Sequence, residues 1–267
     1  MRKPKTYPSD PTPKEWAVIE PLLRRALYGR KPKPLGAPRK YSLYDLTRAR
    51  LSVLRNGIHR RELPHDLPPD GLLPLPSLAA VRGLGAGRTR LSRPRPSAGA
   101  LWLAEVGGSG QPACAHHAQR GARGYDGGKK IKGRKRPIVV DSQGSVLAVL
   151  VTPARVSDAQ GGYEVLDAVL TRYRSVQVVI ADSAYDREGL LEWSLGKWEV
   201  GLDCVGRSGG KGFVVCSRRW LVERRLAWLL RCRRLSRCYD VLCEVEAAWL
   251  WLAGGCWLMR RVARNTS

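Results

Sequence analysis

Apolar residues recur at helical spacing twice near the start of the chain. Over 13–28, Trp16, Ile19, Leu22, Leu23 and Ala26 share one side, Asp10 or Thr12 can cap the helix, and Pro13 suits its first turn. Over 42–56, Leu43, Leu46, Val53 and Leu54 give a second helix an apolar face, with Gly57 as its natural stop. The pattern is then lost. Between 68 and 124 glycine and proline recur every few residues and no helical or strand period lasts. A structureless loop of that length is unusual inside a compact domain. Order returns with Pro137–Val140 and Ser145–Val151, β-branched and apolar runs joined by Asp-Ser-Gln-Gly at 141–144, a hairpin turn signal. Asp158–Arg172 predicts a helix with Val165, Leu166, Val169 and Leu170 inward. Val176–Ala181 has the unbroken apolar character of a buried strand and ends in Asp182. An acid at the carboxyl end of a strand, after strand and helix, is where α/β folds place ligand chemistry.

Ser217–Leu235 contains no glycine or proline and predicts one long, largely buried helix. At roughly 100° per residue, Arg219, Glu223, Arg234 and Arg237 share a face of it. Glu223 is the one acid among eight arginines from Arg218 to Arg237. Two readings of it stand side by side at this point: an ion pair with Arg219 one turn away, or a metal-ligating carboxylate set among phosphate-binding arginines. The apolar tail Ala247–Met259 is about thirteen residues, too short to span a bilayer and suited to a core helix.

Charge narrows the partners. Forty-seven Lys and Arg against 23 Asp and Glu give +24 over 267 residues, a balance that points to a polyanion, most often nucleic acid. A structural binder of the ribosomal kind carries the same charge, so charge names the partner class and not the activity. Double-stranded DNA is the expected partner. The expected phosphate contacts are Lys129, Lys130, Lys132, Arg134, Lys135 and Arg136, with Arg218, Arg219 and Arg234. The two N-terminal helices, with Arg39, Arg48, Arg50, Arg55, His59, Arg60 and Arg61 about the second, fit a small helix-turn-helix-like unit or a plain helical hairpin. Seven cysteines, an odd number without C-x-x-C or a histidine at zinc-ligand spacing, read as reduced thiols in a cytosolic protein. Met1–Lys5 is not followed by an apolar run, so no signal peptide is expected. The GLGAG at 83–87 lacks the preceding strand and third glycine of a dinucleotide fingerprint, and His116–His117 has no partner ligands.

Four segments resemble one family, the DDE transposases of bacterial insertion sequences. They are YPSDPTPKEWAVIEPLL, GAPRKYSLYDLTRARLSVLRNGIHRRELPHDLPP, RGYDGGKKIKGRKRPIVVDSQGSVLAVLVTPARVSDAQG, and VVIADSAYD with RRWLVERRLAWLLRCRRLSRCYD. The resemblance implies an α/β fold, an RNase H-like catalytic domain at 123–262 and a small helical N-terminal domain at 7–67, separated by an irregular 68–122. It implies Asp182 as second and Glu223 as third acid of a catalytic, metal-binding triad holding Mg²⁺ or Mn²⁺. Two such ions about 3.5–4 Å apart drive in-line attack on DNA phosphate. It further implies strand cleavage and joining at terminal inverted repeats, with a homo-oligomer on DNA. Arg219 matches the arginine of the family's Tyr-Arg-Glu signature, with Cys216 at the tyrosine position.

The first acid, which the family carries on its first strand just before the RGYDGGKK run, has no counterpart there, since CAHHAQRGA holds no carboxylate. Asp141 mimics the motif one strand too late and is the substitute to consider. Asp70–Ala80 can be back-translated so that a one-base shift reads TVYxRYxRWRR, like the helix the family has there. The expectation is therefore an out-of-frame insert from 70 to about 120, poorly ordered, and a copy that has lost transposition. A DNA-binding protein without catalysis and a stand-alone nuclease of the same fold are the other readings.

Overall fold

The computed structural model describes residues 6–28, 40–68, 100–105, 114–115, 121–127, 130–186, 188–205 and 219–265. They fall into two compact units. The first takes in the N-terminal helices, Arg231–Ser236 and the chain from Ala248 on, and the second takes in the strands together with residues up to Leu230 and Arg237–Ala247. The C-terminal residues expected in the strand domain therefore belong, from Ala248, with the N-terminal helices.

In the first unit, α1 (Pro13–Tyr28) opens on a reciprocal cap. The Thr12 N–H donates to Glu15 Oε2 at 2.9 Å, and the Glu15 N–H donates to Thr12 Oγ1 at 3.3 Å, so two orphan donors of the first turn are satisfied. Asp10, the other candidate cap, instead pairs with Arg48 at 3.0 Å. Helix α2 (Leu43–Asn56) is capped by Ser42 and closes at Gly57, as its sequence predicts. Gly57 has φ 70°, and a Cβ there would stand 3.0 Å from the Cβ of Arg233, so both conformation and space require glycine. The charge expected around α2 divides: Arg55, His59 and Arg61 are exposed, and two arginines are not. Arg48 and Arg50 are buried, along with nearly every residue from Leu46 to Leu54. Asp10, Asp45 and Asp66 lie about the Arg48 guanidinium, and the Tyr7 and Tyr44 rings each sit 5.7 Å from it. A helix buried on all sides cannot lie in a DNA groove, which removes α2 as a recognition helix.

The second unit is built on a mixed five-stranded sheet in the order β6-β5-β1-β8-β9. These strands are β1 (Ala100–Glu105), β5 (Pro137–Asp141), β6 (Val146–Val149), β8 (Val178–Asp182) and β9 (Gly201–Val205). β5 runs antiparallel to β1 and β6, while β1, β8 and β9 are parallel. Helices α3 (Asp158–Leu170) and α4 (Glu188–Trp198) cover one face, and Leu101, Leu103, Val139, Val179 and Ala181 pack beneath them with Val165, Leu166, Val169, Leu170 and Leu190. A second sheet joins β2 (Cys114–Ala115), β3 (Gly124–Asp126), β4 (Ile131–Lys135) and β7 (Thr152–Pro153). Among the described residues, no helix is long and apolar enough to cross a membrane.

Two expectations are corrected here. Within 68–122, read as irregular, lies β1, the middle strand of the main sheet, with Leu101, Trp102, Leu103 and Ala104 all buried. A central strand needs only a short apolar run, and LWLA supplies it without any period to announce it. Residues 69–99, 106–113 and 116–120 of that stretch lie outside the described residues. The long helix expected over 217–235 is two: α5 (Arg219–Leu230) and the single turn α6 (Arg233–Ser236). Arg234 therefore does not share a helix face with Glu223. The last helix, α7 (Cys243–Asn265), extends the expected apolar tail in both directions and buries Trp249, Leu250, Trp251 and Leu252.

The β4–β5 run is held by charges that the main sheet buries. The Arg134 guanidinium donates to Glu246 Oε2 at 2.9 Å, to the Ala122 carbonyl at 2.7 Å and to the Asp240 carbonyl at 2.9 Å. Arg136 reaches the other oxygen, Oε1, and the Cys238 thiol donates to Oε2 at 2.8 Å. Lys135, on the opposite side of the strand, meets Asp158 at 2.8 Å and Asp126 at 3.4 Å. Burial alone would push the Glu246 carboxyl up, but Arg136, the Cys238 thiol and Arg134 outweigh it and hold it below the usual carboxylate range. Its contribution to stability is therefore complete above that range and is lost as pH falls through the depressed value. Urea midpoints followed by circular dichroism should fall on acidification below about pH 4, and Glu246→Ala should remove about 3–5 kcal/mol at neutral pH.

Candidate active site and nucleic-acid interface

Asp182 stands at the carboxyl end of β8, as predicted, where the backbone turns into the 3-10 segment Ser183–Tyr185. Its Oδ1 accepts from the Ser183 N–H at 2.7 Å and from the Ser183 hydroxyl at 3.3 Å, while Tyr185, buried, pins the turn to the core. The side chain is half-exposed. Acids gather around it. Burial, then Asp186, Asp203 and Asp182, push the Cys204 thiol on neighbouring β9 up to about 11.

Register decides what faces Asp182. Leu103 of β1 pairs with Ala181 of β8, so the next step along the two parallel strands sets Ala104 beside Asp182. Leu101, Leu103, Val179 and Ala181 all point under α3 and α4, which leaves Ala104 and Asp182 together on the opposite face. The position on the first strand level with Asp182 is thus an alanine. Asp141, the substitute considered, pairs with Leu101 at the other end of β1. Three steps of strand, on the order of 10 Å, separate that level from Ala104. Its Oδ1 is also occupied by the Gln143 and Ser145 N–H groups at 2.9 and 2.7 Å, so Asp141 is a turn residue.

Glu223 lies on α5, a helix as predicted, in the same unit as Asp182, with its side chain outside the described residues. Among the described residues no group of three His, Cys, Asp or Glu is gathered as metal ligands. With Oδ1 of Asp182 turned to Ser183 and the Glu223 side chain outside the described residues, the described donors do not make up the carboxylate set that two divalent ions require.

The basic residues divide. Lys130, at φ 54°, and Lys132 are exposed, as a phosphate contact needs. Arg134, Lys135 and Arg136, expected beside them, are buried and committed to Glu246, Asp126 and Asp158, because no residue from Gly133 to Asp141 faces solvent. They are removed from the interface. Arg234 is partly buried, with its guanidinium 5.5 Å from the Trp249 ring. Lys129 and Arg218, and the side chain of Arg219 at the start of α5, lie outside the described residues. The acceptors Glu246 and Asp158 were legible only as isolated acids, since their partners are more than twenty residues away in sequence.

A model of the transposase DDE domain matches residues 106–257. The chain belongs to the DDE transposases. A protein named as the transposase of insertion sequence element IS402 in Burkholderia cepacia is 32% identical over 139 residues, 48% of this chain and 62% of that protein. The chain thus spans under two thirds of that relative's length. DDE transposases generally use divalent metal ions and act on DNA. The match opens at residue 106, immediately after β1, so the strand that carries Ala104 is outside it.

Buried and exposed bases should part in experiment. Lys130→Gln and Lys132→Gln should leave the urea midpoint within about 0.5 kcal/mol of the parent, whereas Arg136→Gln should lower stability by about 3 kcal/mol or more.

Proposed function

We propose that this DDE transposase descends from one that cut and joined DNA strands at the terminal inverted repeats of an insertion sequence, and that in its present form it binds DNA without transposing. The observation that carries the proposal is the pairing of Leu103 with Ala181, one step beyond which β1 offers Ala104 at the level of Asp182. The mixed sheet, with its first strand next to the strand bearing Asp182, supports the RNase H-like reading of the second unit. On that reading Asp182 and Glu223 are the surviving acids, and Mg²⁺ or Mn²⁺ is the ion they served. One methyl group replaces the carboxylate that would complete the set. An out-of-frame origin for 70 to about 120, through which the first acid was lost, rests on the shifted reading of residues 70–80.

DNA binding does not depend on that carboxylate. Net charge of +24 remains, and phosphate contacts by exposed bases such as Lys130 and Lys132 release counterions. Such contacts position DNA without reading its bases, so affinity is spread over all sequences. A basic DNA-binding role in the cytoplasm, free of catalysis, is thus the activity assigned to the chain as it stands.

Calorimetry and a cleavage assay on a terminal-repeat duplex test this. The parent chain should bind duplex with an affinity that drops at least tenfold between 50 and 200 mM salt, at roughly the slope expected for several phosphate contacts. It should produce no nicked product with Mg²⁺ or Mn²⁺. Ala104→Asp should tighten Mn²⁺ binding at least tenfold, an effect of about 1.4 kcal/mol, and Asp182→Asn should cancel the gain. Cleavage by the parent chain that Asp182→Asn abolishes would overturn the proposal.

A further inference from the structure

The hairpin of the small sheet turns an aromatic ring to solvent. β3 and β4 pair antiparallel, with Gly124 opposite Gly133, Tyr125 opposite Lys132 and Asp126 opposite Ile131. Side chains alternate across such a ladder, so Gly124 and Asp126 belong to one side and Tyr125 and Lys132 to the other. The first side is closed: Gly124 is buried against Arg155, and Asp126 meets Lys135. The second side is open at this end. Tyr125 is 59% exposed, and among the described residues no other aromatic ring is exposed. Lys132, directly across the ladder, is exposed too. So is Lys130 in the turn, held at φ 54°, a conformation that glycine or asparagine adopts more readily. Arg134 follows Lys132 on the same side of β4, and its guanidinium donates to the Asp240 and Val241 carbonyls at 2.9 and 2.5 Å. The 240–242 turn therefore crosses this side about 7 Å of strand beyond Lys132, with Val241 and Leu242 exposed at 48% and 58%.

We infer that Tyr125 is a stacking platform for an unpaired DNA base, with Lys130 and Lys132 on the adjoining phosphates. The inference rests on the DNA-binding reading above and names the part of the DNA that this hairpin takes. An exposed phenol ring offers a flat π-face to solvent. Bases inside a duplex have both faces covered by their neighbours, so only an unpaired or displaced base can lie on it. The spacing suits one nucleotide. Residues directly opposite on the ladder stand about 5 Å apart, and a base is set off from its phosphate by a single sugar, so ring and ammonium can meet both. Val241 and Leu242 add an apolar border along the same side, as base-holding sites use beside their rings. A protein partner fits less well, because two cations flank the ring in a chain of net charge +24. Every base has a π-face, so the platform accepts single strands of any sequence.

Fluorescence anisotropy of the full chain tests it, on a labelled oligothymidylate strand and on a duplex of the same length at roughly 50 mM salt. The parent should bind both. Tyr125→Ala should weaken single-strand binding roughly fivefold or more beyond any change on duplex, the loss expected for one stacked base. Tyr125→Trp should keep the single-strand affinity. Lys132→Gln should instead weaken both ligands together and lower the salt slope on each by about one. In the parent, 5-iododeoxyuridine placed in the strand should crosslink at Tyr125 on irradiation, a readout that does not depend on any variant folding. An alanine variant that folds and binds single strand as the parent does, one that loses both ligands equally, or a crosslink that maps away from the β3–β4 hairpin would each overturn the inference and leave DNA binding by the parent standing. A parent that binds neither ligand would overturn the DNA-binding reading itself, and this inference with it.

Discussion

A single carboxylate between two buried guanidiniums organises the second unit. Glu246, in the first turn of α7, neutralises Arg134 and Arg136 on the β4–β5 run, the stretch where the small sheet passes into the large one. Three charges out of water are tolerable only as a set, because each one left alone is strongly unfavourable. Arg134 uses its fork further, collecting the carbonyls of Ala122 and Asp240. The chain at Gly121 must come close enough for this. A Cβ there would fall 2.1 Å from the Val241 carbonyl oxygen, at a φ of 110° that favours glycine. Sequence-distant segments are thereby tied to one strand crossing, and the basic run that looks like a DNA patch is half scaffold.

What could be read from the chain follows the range of the forces involved. Helices α1 and α2, with the Thr12 cap and the Gly57 stop, are written in neighbouring residues and were legible. So were β5, β6, α3 and β8, whose apolar runs have turn chemistry at their ends, and Asp182 at the end of β8. The burial of Arg48, Arg134 and Arg136 was not legible, because it depends on acids brought from far along the chain. Nor was the break between α5 and α6, where nothing in the local sequence interrupts a helix and Leu235 is drawn into the interior. β1 escaped for another reason. Six residues among glycines and prolines show no period, and only pairing on both sides reveals them as a strand.

In the first unit the same rule operates at a smaller scale. Arg48 is enclosed by Asp10 and Asp66 and by two tyrosine rings, so a helix with arginines along it becomes an interior element. Positive residues in this chain thus do two unlike jobs, and only the fold tells which. A count of lysines and arginines points to a partner class but does not tell which of them are scaffold.

β1 shows how unequal the demands of form and chemistry are. A strand between two others is recognised by its backbone groups and by side chains that avoid water, and many different texts satisfy that reading. A ligand set admits almost none, since it needs an oxygen at one letter. Leu-Trp-Leu-Ala therefore spells an acceptable strand and an unacceptable metal ligand at once. On the proposed reading, overwriting such a strand would erase a reaction silently, leaving a molecule that folds, carries its charge and still displays the outline of an enzyme.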